Sequence, residues 1–397
     1  MGARISERVL GISPSATEST SFLANKMIEE GIDVISFAQG EPDFDTPQNI
    51  SRAAKNAIDE GYTRYTDVPG ISAIREAISK KFKISNGIDY DASEVIISNG
   101  GKQVLYLLFQ TICGTGDEVL IPTPCYVSYE EQVKLAGATP IFFPTNPDNN
   151  FRLTRKDIEN HLTPHTKAII INSPNNPTGA ICHEKELRAI ADLALERDIF
   201  IVTDEVYEYL LYDSHEHFSI ASIGCDIKDI VMTVNSVSKT YAMTGWRLGY
   251  AGGPKDVIDG MIKLQGHVSG NVNSISQIAT IEAIKGFQNA ISNMLEVYVK
   301  RRDLMVDKIN SIKGLKCKKP DGAFYVFTDV TDLYGRKWSE GVIRNDLDVA
   351  TFFLKDAHIA VVPGAAFRYP GYVRFVFAKS EKEITEGLNR IEKAISL

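Results

Sequence analysis

No apolar run in this 397-residue chain approaches the roughly 20 residues that a membrane-spanning helix requires. Positive charge is not in excess: 43 Lys and Arg stand against 51 Asp and Glu, a formal net charge of −8. Without a basic stripe for a phosphate backbone, nucleic acid is not an expected partner. Cysteine is scarce, and its five residues (Cys113, Cys125, Cys182, Cys225, Cys317) are odd in number and scattered. No Cys-x-x-Cys pair occurs, and Cys182 beside His183 lacks the further ligands of a zinc site, so no metal is expected. Reduced thiols in a cytoplasmic protein are the expectation. Repeats and low-complexity tracts are absent. The start, Met1-Gly2-Ala3-Arg4-Ile5-Ser6, has no apolar signal region. It fits the Met-Gly-x-x-x-Ser acylation pattern, which is too short to carry an expectation.

What is present reads as a globular chain of two domains. Apolar residues make up 44% and charged residues 24%, and the length allows a large buried core. From Glu94 onward, short apolar runs alternate with stretches of 3.6-residue period. Strands are expected at Val95–Ile97, Glu118–Ile121, Thr139–Phe143, Ala168–Ile171, Ile199–Thr203 and Ile230–Val234. Helices are expected between them at Lys102–Cys113, Tyr126–Ala136 and Glu184–Arg197, and ahead of them at Ser21–Glu30, Gln48–Glu60 and Ile71–Lys83. That alternation predicts an α/β fold with a largely parallel sheet covered on both faces. A helical span from Ser274 to Ile312 follows. Then Gly322–Phe327, Ala360–Val362 and Val373–Phe377 suggest a smaller α+β unit.

Ligands of an open α/β sheet sit beyond the C-terminal ends of its parallel strands. Four of the runs end in unusual polar groups. After Val95–Ile97, Gly100-Gly101-Lys102 opens a helix and serves either as a plain turn or as backbone N–H groups for an anion. After Ala168–Ile171 comes Asn175-Asn176-Pro177-Thr178-Gly179, turn chemistry that also fixes an Asn amide toward a ligand. After Ile199–Thr203 comes Asp204-Glu205-Val206-Tyr207. A carboxylate there needs a partner, and a metal, a ring N–H, an ion pair or a helix N-terminus would each serve.

The last run leads into Ser236-Val237-Ser238-Lys239, with Arg247 eight residues on. A lysine between hydroxyls and beside Tyr241, Met243 and Trp246 is not placed like a solvated surface amine. Partial desolvation and a second cation both depress an amine pKa and make it a nucleophile. Arg247 adds a guanidinium suited to bidentate phosphate binding. A phosphate cradle, a carboxylate, a rigid Asn, a phenol and an amine together match one ligand, pyridoxal 5′-phosphate.

These motifs, in this order from Gly40 to Arg374, resemble the class I/II aminotransferases of fold type I, most closely their aspartate/aromatic branch. The resemblance implies a large domain (48–290) with a mostly parallel seven-stranded sheet and a small C-terminal domain (291–397), joined by the N-terminal segment (1–47). It implies Lys239 as the Schiff-base lysine and proton shuttle, Asp204 as partner of the pyridinium N–H, and Asn176 and Tyr207 as donors to the ring oxygen. Tyr126 matches the aromatic that stacks on the ring, where some relatives carry Trp. Gly100, Gly101, Lys102, Ser236, Ser238 and Arg247 match the phosphate cradle. Tyr65 matches a tyrosine that reaches the phosphate from a neighbouring subunit, which implies a homodimer. Arg374 matches the clamp on the substrate α-carboxylate, with Gly40 and Asn176 beside it. The implied reaction is ping-pong transfer of an amino group from an L-amino acid, aspartate-like or aromatic, to a 2-oxo acid such as 2-oxoglutarate.

The donor's side chain stays open. The best-known aspartate enzymes bind the distal carboxylate with an arginine, and Gly266–Asn273 contains none, only His267 and Asn271. A carbon–sulfur lyase or a kynurenine-type aminotransferase would keep the same cofactor residues. A P-loop NTPase does not fit, since Ile96 stands where the first Gly belongs and Gln103 follows Lys102. A DNA-binding regulator would need a basic helical extension, which the chain lacks.

Overall fold

The computed structural model describes residues 4–396, so the start of the acylation pattern, Met1-Gly2-Ala3, lies outside the described residues. The short apolar runs form one sheet of seven strands: β1 (Val95–Ser98), β2 (Glu118–Thr123), β3 (Thr139–Pro144), β4 (Thr166–Asn172), β5 (Phe200–Asp204), β6 (Val231–Ser236) and β7 (Gly249–Gly252). Their spatial order is β1-β7-β6-β5-β4-β2-β3. All neighbours run parallel except β7, which is antiparallel to both β1 and β6. Helices cover both faces, which explains why the centre of β4 is a continuous apolar run with no polar alternation. Ile169 and Ile171 feed one core, while Ala168 and Ile170 feed the other. Each such isoleucine contributes about 2 kcal/mol by leaving water.

Helices α1 (Ala16–Glu29), α2 (Gln48–Asp59), α3 (Ser72–Lys81), α4 (Gly101–Ile112), α5 (Ser128–Leu135), α6 (Glu184–Arg197) and α7 (Lys255–Val268) fill the connections. α6 shows the expected logic. Leu187, Ile190, Ala191 and Ala194 bury one stripe, and Asp198 ends the helix in the left-handed region at φ 51°. α1 starts earlier than the apolar pattern indicates, because the Ser15 hydroxyl caps it by accepting from the Glu18 N–H. The single helical span expected over Ser274–Ile312 is two helices, α8 (Ser274–Lys285) and α9 (Asn289–Ser311), separated at Gly286. A Cβ there would stand 2.6 Å from the Glu282 carbonyl oxygen, so the close backbone approach requires glycine.

A second sheet of four antiparallel strands holds β8 (Lys316–Cys317), β9 (Tyr325–Asp329), β10 (Val362–Pro363) and β11 (Tyr372–Val376), in the order β10-β11-β9-β8. Phe324, Val326, Phe353, Val373 and Phe375 build its core. The early segment Ile35–Ser36 pairs in parallel with Ile359–Ala360, which carries the Gly40 loop toward this smaller sheet. Among the described residues no helix is long and apolar enough to cross a membrane.

Candidate active site

Strand register brings the polar strand ends together. Asn172 lies opposite Asp204, Asp204 opposite Val234, and Ser236 opposite Gly249. Over this edge lies a cavity of about 290 Å³. Gly40, Gly101, Lys102, Tyr126, Asn176, Asp204, Tyr207, Ser236, Ser238, Lys239, Arg247 and Arg374 all line it. Gly100 stands just outside the lining, against Arg247. Tyr65 is elsewhere and 97% exposed.

Lys239 sits one turn into a short helix that follows β6, and its Nζ donates to the Gly40 carbonyl oxygen. Burial holds its pKa down at about 8; Glu41 opposes the shift, while Arg374 and Arg247 add to it. The loop is held from behind by a buried network. Lys81 Nζ and Asn235 Nδ2 donate to Glu208 Oε1, Asn86 Nδ2 donates to Glu208 Oε2, and Asn235 Oδ1 accepts from the Ser236 N–H at 2.7 Å. The Ser236 hydroxyl then caps the short helix, accepting from the Ser238 N–H at 3.0 Å.

Asp204 ends β5 inside the protein. Burial pushes its carboxyl up to about 6, although the Tyr129 hydroxyl (2.6 Å) and the Val206 N–H stabilise the anion. Asn172 Nδ2 donates to the Asp204 carbonyl at 2.9 Å, and Asn172 Oδ1 accepts from the Asn176 N–H at 2.8 Å. One asparagine thus orients two strand ends. Tyr207 Oη meets Tyr325 Oη at 2.6 Å.

The start of α4 faces Arg247. Gly100 has φ +88°, and a Cβ on it would stand 2.4 Å from Arg247 Nη2. Gly249 of β7 passes so close beneath that its own Cβ would fall 2.3 Å from the Gly101 nitrogen. The Gly100-Gly101 pair and Gly249 therefore answer one crossing of strand and helix. Lys102 reaches back to Glu18 of α1 at 3.3 Å.

Arg374 comes from β11 and is 2% exposed. It donates to Asn176 Oδ1 at 2.9 Å and to the Ala38 carbonyl, and it packs over the Tyr325 ring at 4.6 Å. Its Nε is buried without a partner among the described residues. Tyr126, the aromatic expected to stack on the ring, meets Tyr129 edge-on at 5.4 Å.

Sequence reasoning missed Tyr129, Asn172, Tyr325, Thr17 and Thr244, all of which line the cavity. Tyr129 follows Tyr126 by three residues, a spacing that signals a shared face. For Tyr325 the only signal was its place at the start of an apolar strand.

The fold and this set of strand-end side chains define a class. A family profile for aminotransferases of class I and II matches residues 32–391, and the chain belongs to that family. Its relatives carry narrower names. It is 43% identical to a probable aspartate/prephenate aminotransferase of Rickettsia bellii over 392 residues, 98% of each chain. Among solved structures it resembles the aspartate aminotransferase of Rhizobium meliloti, with a TM-score of 0.96 at 37% identity, covering 100% of this chain and 99% of that one. It also resembles the aspartate aminotransferase of Thermus thermophilus with maleate, with a TM-score of 0.94 at 38% identity, covering 99% of this chain and 100% of that one. The chain is accordingly an aminotransferase of fold type I.

Proposed function

We propose that the chain uses pyridoxal 5′-phosphate to move the amino group of an acidic L-amino acid, aspartate first, to a 2-oxo acid such as 2-oxoglutarate, in two half-reactions at one site. The observation that carries this reading is Lys239 and Asp204 facing one cavity, where burial holds the amine down at about 8 and pushes the carboxyl up to about 6. The cofactor would supply an aldehyde for the lysine and a conjugated ring that accepts an electron pair. The donor set fits it part by part. Asp204, buried with the neutral Tyr129 hydroxyl as its side-chain partner, suits a ring N–H that restores its charge. The N–H of Gly101, with Ser236, Ser238 and Arg247, suits a phosphate, whereas the Gly100 N–H already donates to the Ser98 carbonyl at 2.7 Å and serves the turn. Tyr126 offers a ring face. Asn176 Oδ1 is taken by Arg374, which leaves its amide nitrogen to donate alongside Tyr207.

In the first half-reaction Lys239 Nζ would take the proton from the donor's Cα, and in the second it would deliver one to the acceptor's Cα, while Arg374 anchors the α-carboxylate beside Gly40. The unpaired Arg374 Nε supports that anchoring role. Four cations line the cavity: Lys102, Lys239, Arg247 and Arg374. Lys239, Arg247 and Arg374 have roles above, and Lys102, held by Glu18 at 3.3 Å, adds positive charge beside the phosphate. The relatives named for aspartate, and the dicarboxylate maleate with the Thermus protein, support an acidic substrate. The Rickettsia relative's name adds prephenate as a second substrate to test.

We further infer a homodimer in which the partner's Tyr65 reaches the phosphate, as the exposure of Tyr65 supports. Division into residues 48–290 and 291–397, with 1–47 joining the smaller unit, is supported by the pairing of Ile35–Ser36 with Ile359–Ala360. Five cysteines without a disulfide support a reducing, cytoplasmic location.

Addition of pyridoxal phosphate should give a yellow protein, and borohydride should fix the chromophore on Lys239. A colourless protein, or label on another residue, would sink the reading. Aspartate with 2-oxoglutarate, and glutamate with prephenate, are then assayed for amino transfer. Release of ammonia and pyruvate from a sulfur amino acid, without transfer, would point to a carbon–sulfur lyase instead.

A further inference from the structure

We propose that Tyr325 is a positioning residue of this site: its hydroxyl donates to Tyr207 Oη and so turns the single Tyr207 proton into the cavity. The inference rests on the cofactor reading above and extends it to a residue that reading leaves without a role.

Tyr325 opens β9 of the smaller sheet, whereas Tyr207 follows β5 of the larger one, so their contact joins two sheets. Their oxygens lie 2.6 Å apart, and the residues are 1% and 4% exposed. Burial raises both phenols above the ordinary tyrosine value, so each stays neutral and carries one proton. A hydroxyl has one proton to give. Of two hydroxyls in contact, one spends its proton on the other, and the second keeps its own for a third partner. If Tyr207 gave its proton to Tyr325, it would present only lone pairs to a phenolic oxygen in the cavity. If Tyr325 is the donor, Tyr207 is free to donate there.

Arg374 acts on both phenols but packs directly on Tyr325, which favours the second arrangement. Its guanidinium packs on the Tyr325 ring at 4.6 Å, and a neighbouring cation makes a phenol a stronger donor. The rings are also fixed in place. Tyr325 meets Tyr207 edge-on at 5.7 Å, and Phe324 packs against both, at 5.6 Å from Tyr207 and 4.8 Å from Tyr325. Gly40 completes the fit, because a Cβ there would stand 2.6 Å from Tyr325 Oη. The residue whose carbonyl receives Lys239 is thus kept small by the tyrosine that orients Tyr207.

The test is a double-mutant cycle read by absorbance rather than turnover. Wild type, Tyr207→Phe, Tyr325→Phe and the double variant are loaded with pyridoxal phosphate, and the chromophore is titrated with pH. A donor to the cofactor's ring oxygen favours loss of the chromophore's proton, so weakening that donor moves the midpoint up. We expect about one pH unit for Tyr207→Phe and a few tenths of a unit for Tyr325→Phe. Tyr325→Phe should add nothing once Tyr207 is already Phe. KM for the amino acid should stay within about twofold, since the ring beneath Arg374 remains. A Tyr325→Phe midpoint equal to wild type, or an equal shift with and without Tyr207, would overturn the proposal. A wild-type protein that takes up no chromophore would overturn the cofactor reading itself, and this inference with it.

Discussion

Asp204 and Lys239 are displaced in opposite directions by one cause, the loss of water around a charge. For Asp204 the consequence is a measurable cost to the cofactor-free protein. Its carboxyl binds a proton more tightly folded (about 6) than unfolded (3.8). Stability from this group is therefore highest below about pH 4, falls as pH rises through 6, and stays reduced above. Asp204→Asn should remove that loss and stabilise the cofactor-free protein at pH 7 by on the order of 2 kcal/mol. Urea unfolding at pH 4, 6 and 7 measures it, and an Asn variant no more stable than wild type at pH 7 would contradict it. That Lys239, Asp204, Asn176 and Tyr207 would gather at one cavity was legible in the sequence. Each follows an apolar run, and a polar residue so placed must find a partner. Tyr129, which donates to Asp204, was not legible, because its partner is 75 positions away.

At the scale of elements, the site depends on how β7 crosses beneath the start of α4. Gly249 has no room for a side chain, since its Cβ would fall 2.3 Å from the Gly101 nitrogen and 2.5 Å from the Gly100 carbonyl carbon. Gly249→Ala should push the helix start away and weaken pyridoxal phosphate binding by at least tenfold. It should also cost about 2 kcal/mol of stability through overpacking. Equilibrium titration of the cofactor together with urea unfolding tests both; unchanged affinity would mean that the helix start does not hold the phosphate. Six of the seven strands were legible as apolar runs. β7, reading Gly-Tyr-Ala-Gly, was not, because two glycines remove the β-branched signal and its pairing depends on neighbours rather than on its own pattern. The break at Gly286 was hidden for a similar reason: periodicity continues on both sides of it, and only the backbone approach at Glu282 ends the helix.

At the scale of the molecule, the site draws on distant parts of one chain and, we infer, on a second copy. The loop that bears Tyr65 is tied down behind it: Ser274 Oγ donates to the Tyr62 carbonyl, Gln265 Nε2 to the Val68 carbonyl and Gln277 Nε2 to Thr66 Oγ1. Tyr62 and Val268 are also exposed, at 42% and 52%. A held, outward aromatic loop suits a subunit contact. Tyr65→Phe alone should weaken cofactor binding. In a hybrid of Tyr65→Phe with Lys239→Ala protomers, the site with an intact lysine receives the partner's Tyr65 and should regain wild-type affinity. A hybrid no better than Tyr65→Phe would place that tyrosine in its own subunit's site. Sequence alone determined what is local: which runs become strands, which turns punctuate them, and which side chains at their ends need partners. Tertiary structure alone decided the long-range pairs, with Lys239 meeting Gly40 across 199 positions and Arg374 meeting Asn176 across 198. Strand order and register set those meetings, and they arise from packing whole faces together, which no periodicity within a single run encodes.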